Sequence, residues 1–286
     1  MLTPYEFIQD LFNPMLSFLP RALLMAVVSA IVCGLVGSHV VLRGMAFIGD
    51  AVAHSVFPGL AIAFVIGGSL ALGGMVAGVA TAVIVALLSQ HRRVKEDSII
   101  GVLFAGSFAL GVIVISRAPG YAGSLQDFLF GSMTGIPRED VPAALIGSAL
   151  VIGLLIVFHR QILAVSLDRE TARAGGLNVL FYDVLVYVCV SLAVVMSVQT
   201  IGSILVLALL VTPAATARLL SDRIATMMTL AALIGSLAAI FGVYISWSFD
   251  YPTGATIVML LTLSFVTAWL FAPRHGYVTS RILHKR

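Results

Sequence analysis

Two ionisable residues, Asp50 and His54, stand four positions apart in an otherwise apolar stretch, RGMAFIGDAVAHSVFPGLAIA (43–63). On a helix four residues turn about 400°, so the two side chains share one face, one turn apart. Pro58 follows four residues later; it has no N–H to give and would leave the carbonyl of His54 without its helical partner. A carboxylate, an imidazole and a freed carbonyl would then converge on one short piece of helix. A hard anionic oxygen beside a borderline nitrogen suits Zn²⁺, Mn²⁺ or Fe²⁺, and argues against Cu(I), which favours thiolate and thioether ligands. The alternative is structural: an intrahelical Asp50–His54 hydrogen bond that satisfies both groups and pins the break at Pro58. Other candidates are weaker. His39 reads as a packed or interfacial histidine, Asp183 as a hydrated group near the inner end of a span, and Asp250 as a rim charge.

The surroundings of this pair are set by composition. Of 286 residues, 60% are hydrophobic and 10% charged, against roughly 25% charged in an ordinary soluble domain. Apolar runs recur from about residue 23 to 271, which defines an all-α, polytopic helical membrane protein. In hydrocarbon a buried carboxylate and imidazole are costly unless they face a cavity, a partner or an ion. The net charge of +3 does not point to nucleic acid, because the basic residues are scattered among short loops. Nothing basic precedes Arg21, while Glu6 and Asp10 are acidic, so the N-terminus is not expected to be a signal peptide. Cys33 and Cys189 lie in apolar runs without CxxC spacing and read as buried small residues.

Nine spans are expected, at about 23–42, 45–66, 70–88, 98–115, 141–158, 179–197, 201–219, 224–247 and 256–271. Residues 1–19 form an interfacial lead-in, 20–272 the transmembrane domain and 273–286 a basic tail. Gly74 and Gly78 give the third span a small-xxx-small contact face. Pro58 should interrupt the second span and Pro213 the seventh. The segment LQDFLFG (125–131) reads as a short interfacial helix. If the second span starts at Met45, His54 lies about 14 Å along it, close to half of a roughly 30 Å hydrocarbon core. Placing the N-terminus outside leaves thirteen of the sixteen Lys and Arg on inner segments and only Arg21, Arg117 and Arg138 outside. The positive-inside rule therefore orients the chain with a cytoplasmic C-terminus.

A Walker A loop needs glycine followed by lysine to cradle phosphates. The two lysines, Lys95 and Lys285, follow Val94 and His284, so any nucleotide-driven role requires a separate subunit. That subunit would dock on the longest inner connection, 159–178. Its SLDRETARAGG alternates charge at Asp168, Arg169, Glu170 and Arg173 and ends in Gly175 and Gly176, reading as a short capped helix. A plain solvated connector is the other reading.

Several segments together resemble the integral-membrane permease of ABC importers for manganese, zinc and, in some members, iron. They are RGMAFIGDAVAHSVFPGLA (43–61), LQDFLFGSM (125–133), LDRETARAGGL (167–177), IGSILVLALLVTPAATARLL (201–220) and PTGATIVML (252–260). The resemblance covers roughly residues 20–272 and departs at Ala53, where many members carry serine. It implies a cobalamin-importer-like permease fold and metal contacts from Asp50 and His54. It also implies a coupling helix with partner contacts from Asp168, Arg169, Glu170, Ala172, Arg173 and Gly176. Two permeases, expected as a homodimer, would work with two ATP-binding subunits and an extracytoplasmic metal-binding protein, in the plasma (inner) membrane of a prokaryote. The chain itself is not expected to be an enzyme or to hold a permanent cofactor; Zn²⁺ or Mn²⁺ would be cargo. A cation-coupled secondary transporter using the same pair is the alternative. An intramembrane metalloenzyme ranks last, because HExxH is absent and a metal-activated water needs a positioned general base.

Overall fold

Helix α2, Phe18–Leu42, is the post around which the others gather in this computed structural model, which describes residues 3–45, 47–90, 96–116, 138, 140–273 and 276–277. The remaining α-helices are α1 Pro4–Leu11, α3 Ile48–Ser55, α4 Phe57–Val65, α5 Leu70–Leu88, α6 Glu96–Ile115, α7 Asp140–Val157, α8 His159–Leu167, α9 Arg169–Ala174, α10 Val179–Ile201, α11 Ser203–Leu220, α12 Ile224–Phe249 and α13 Thr253–Phe271. No strand occurs among the described residues. The expected 125–131 helix, the 91–95 connection and the basic tail from 278 onward lie outside them.

Small residues explain why α2 is central. Ala22, Ala26, Ala30, Cys33, Gly34 and Gly37 are buried along it, and α7, α10, α11 and α12 all pack against it. At Gly37 a methyl group would lie 1.8 Å from the carbonyl oxygen of Leu210, so the α2–α11 crossing admits no side chain there. The same device joins α4 to α5. A methyl on Gly59 would fall 2.1 Å from the Gly73 carbonyl oxygen, and one on Gly73 2.4 Å from that of Gly59. The close-contact glycine is thus Gly73, one position from the expected Gly74, while Gly78 faces Ser191 of α10.

Five helices are long and apolar enough to cross a membrane: Phe18–Leu42, Glu96–Ile115, Val179–Val198, Ile224–Phe249 and Thr253–Phe271. A sixth results if Val141–Val157 and His159–Leu167, bent by 67°, form one span. Ala51–Val65, Leu72–Leu88 and Leu205–Leu220 are shorter apolar helices. The expected nine is therefore not established among the described residues. The expected second span is divided at Val56, and Pro58 falls in the first turn of α4, where a missing N–H leaves nothing unsatisfied. Pro213, by contrast, sits inside an uninterrupted α11. There the break lies instead at Gly202 (φ 86°) between α10 and α11. Residues 159–178, expected as a polar loop with one short helix, fold into two helices, α8 and α9. Cys33 and Cys189 are buried and unbridged, as expected.

The lead-in is held by side chains. Thr3 and Glu6 form a capping box on α1. The indole N–H of Trp247 donates to Asp10 at 2.9 Å, and the Phe7 ring meets Tyr244 edge-on at 5.3 Å.

Candidate functional site

Helix α3 carries Asp50 as its third residue and His54 as its seventh. Ala51, Val52 and Ala53 are buried, and α3 packs against α5, α6, α10 and α11. The side chain of Asp50 lies outside the described residues. The imidazole of His54 is half-buried and meets two rings of α6 edge-on, Phe104 at 5.1 Å and Phe108 at 5.4 Å between centroids. Phe57 extends this aromatic wall, 5.6 Å from Phe108. Edge-to-face pairs each contribute about 0.5–1.5 kcal/mol beyond burial, so α6 helps to orient the imidazole. Neither phenylalanine was singled out in the sequence; their i, i+4 spacing, one helical face, was the available signal. Among the described residues no group of three or more His, Cys, Asp or Glu assembles into a metal cage. Ser55, next to His54, is buried with its hydroxyl unpaired among them.

A second polar cluster lies where α2 gives way to α3. Arg43, with its side chain 4% exposed, donates from Nη1 to Oδ1 of Asp183 at 2.9 Å and from Nε to Ser166 Oγ at 2.9 Å. Asp183 also accepts from Gln90 Nε2 at 3.3 Å and lies 3.4 Å from Arg169 Nη2. Arg169 is further paired with Glu96, which accepts from the Tyr187 hydroxyl at 3.1 Å. Burial works against the Arg169 charge, but Asp183 and Glu96 outweigh it and hold its pKa above the ordinary value. Asp183 is 0% exposed: it is a buried, paired carboxylate, and not the hydrated group the sequence led us to expect. Its partners Arg43, Gln90 and Arg169 come from three other segments, which a linear reading does not bring together.

The expected partner-contact residues separate here. Asp168 is the N-cap of α9, accepting from the amides of Glu170 and Thr171 at 2.9 and 3.2 Å. Hydrogen bonds from the Thr171 hydroxyl and these amides hold its carboxyl below the usual range. Since that pKa is depressed, the cap is fully formed above the ordinary carboxylate pKa and is lost as pH falls through the folded value. Arg169 turns inward to the carboxylates above. Ala172 is 6% exposed, packed with Val165 and Val179, so its small size serves the chain's own packing. Glu170, Arg173 and Gly176 lie on the exposed surface. His39 is fully buried, its ring 6.0 Å from that of His159, consistent with a packed histidine. Asp250 ends α12 in a left-handed turn (φ 56°) and lines a cleft with Phe18, Trp247 and Tyr251.

With five or six apolar helices long enough to cross a bilayer, the fold is that of a multi-pass membrane protein. Residues 15–272 match the ABC 3 transport family, and the chain belongs to that family. It is 40% identical over 263 residues to the manganese transport system membrane protein MntC of Halalkalibacterium halodurans, covering 92% of this chain and 90% of that protein. It is 36% identical to the chelated iron transport system membrane protein YfeC of Yersinia pestis, covering 93% and 90%. Among solved structures, PsaBC from Streptococcus pneumoniae in complex with Fab superposes with a TM-score of 0.84 at 34% identity, covering 98% of this chain and 100% of that one.

Proposed function

We propose that this chain is the membrane permease of an importer that carries Mn²⁺ into the cytoplasm, driven by a separate ATP-binding subunit. The observation that carries the reading is the likeness, over nine-tenths of the chain, to a manganese transport system membrane protein. The likeness to a chelated iron protein makes Fe²⁺ the second cargo, and Zn²⁺, expected equally from the Asp50/His54 donor set, becomes a competitor to be tested. Asp50 and His54 bind the ion in transit. A transport site must release its ion, so few protein ligands and retained waters serve better than a closed four-ligand cage. The permease acts as a homodimer, fed by an extracytoplasmic metal-binding protein. ATP binding shifts the pair between outward- and inward-facing states.

The test is Mn²⁺ uptake by vesicles containing the permease with and without its ATPase and ATP, with Zn²⁺ as competitor. Uptake that requires both ATPase and ATP is expected. Full uptake with no ATPase present overturns the reading in favour of a gradient-driven carrier. The same proposal puts the N-terminus outside and position 95 in the cytoplasm. A single cysteine at 95 should react with an impermeant reagent only in inverted vesicles; labelling only from outside reverses the orientation.

A further inference from the structure

We infer that Asp183 is a positioning residue that ties the short helix α9 to the segment carrying Asp50 and His54, so that movement at one is imposed on the other. The inference rests on the importer reading above. Two observations converge on it. Asp183 is fully buried and shared by two arginines from different segments: Arg169, the first residue of α9, and Arg43, five residues before α3 begins. Tyr187, one turn further along α10, grips the same two partners' neighbourhoods, since its hydroxyl lies 3.4 Å from Met45 Sδ and 3.1 Å from Glu96. Helix α10 therefore holds the neck 43–45 at two successive turns and reaches α9 through the same carboxylate.

The cluster also has the means to rearrange. Arg43, Glu96, Ser166 and Arg169 line a cavity of about 200 Å³. Within the described residues the Nη2 of Arg43 is buried without a hydrogen-bond partner. Two guanidinium groups compete for Asp183, at 2.9 and 3.4 Å, and Glu96 offers Arg169 a second carboxylate. An exchange of these pairs supplies two discrete arrangements, which is what coupling between distant sites requires. Replacing Asp183 by asparagine removes the shared negative charge and turns one of its two acceptor oxygens into a donor, so the two arginines lose their common counter-ion.

The experiment measures Mn²⁺ carried per ATP hydrolysed by the full permease–ATPase complex in proteoliposomes, for wild type, Asp183→Asn and Asp183→Glu. Asp183→Asn should lower that ratio by about tenfold or more, the range of ordinary coupling effects, and Asp183→Glu should restore part of it. A merely structural role would reduce complex yield and leave the ratio per assembled complex unchanged, which overturns the inference. Should Asp183→Asn fail to insert, Arg169→Gln at the 34% exposed partner gives the same ratio test, and a wild-type ratio there is equally fatal. If wild-type vesicles show no ATP-dependent uptake, the importer reading itself fails and the inference falls with it; if wild type is coupled and the variants remain so, the inference alone fails.

Discussion

Asp50→Asn and His54→Ala are each expected to reduce Mn²⁺ uptake to background while the permease remains folded in the membrane. Removing groups that only support a metal ligand costs about 10–100-fold, so losing a ligand from a sparse site should cost at least about 100-fold. The fold should tolerate both changes. His54 is only half-buried, and taking a carboxylate out of an apolar helix does not by itself destabilise a fold. Uptake by sealed vesicles, beside thermal unfolding of the purified variants, checks both halves. Near-native transport by either variant would make the pair structural, the intrahelical hydrogen bond considered from the sequence.

Reversing charge at Arg173 is expected to abolish co-purification of the ATPase with the permease, and ATP-dependent uptake with it, while metal binding persists. Arg173 and Glu170 are exposed on α9, whereas Arg169 and Ala172 face inward. The surface left to a partner is therefore narrower than the sequence suggested. A bulky residue at Ala172 is the instructive contrast: it would overpack the Val165–Val179 contact at about 1–3 kcal/mol and lower stability before it touched any partner. Measured side by side, Arg173→Glu should lose the ATPase at unchanged melting temperature, and Ala172→Leu should lose melting temperature. Retention of the ATPase by Arg173→Glu would remove α9 from the docking surface.

What could be read from the sequence was what is local. Asp168 caps a helix because its own side chain reaches amides two and three residues on, and nothing distant enters that geometry. The pairing of Arg43 with Asp183 spans 140 residues and depends on how α2 and α10 cross, so an isolated aspartate near a span end looked hydrated. The two prolines make the same point. Pro58 and Pro213 carry identical backbone restrictions, yet one accompanies a break and the other sits within a helix clasped by α2, α12 and α13. The small-xxx-small spacing points to Gly74 and Gly78, while the close contact is at Gly73, because a spacing rule has no information on which face meets α4. The acid–histidine pair was legible since charge in an apolar run stands out; its aromatic wall was not, because phenylalanine in a membrane helix is unremarkable by type.

Helix α6 has the geometry of a lever arm. Its first residue, Glu96, is held by Arg169 of α9, and its Phe104 and Phe108 rest on His54. At 1.5 Å per residue these contacts lie about 12 and 18 Å from Glu96, with unbroken helix between them. A small tilt imposed at the Glu96 end is thus carried to the imidazole without passing through any loop that could absorb it.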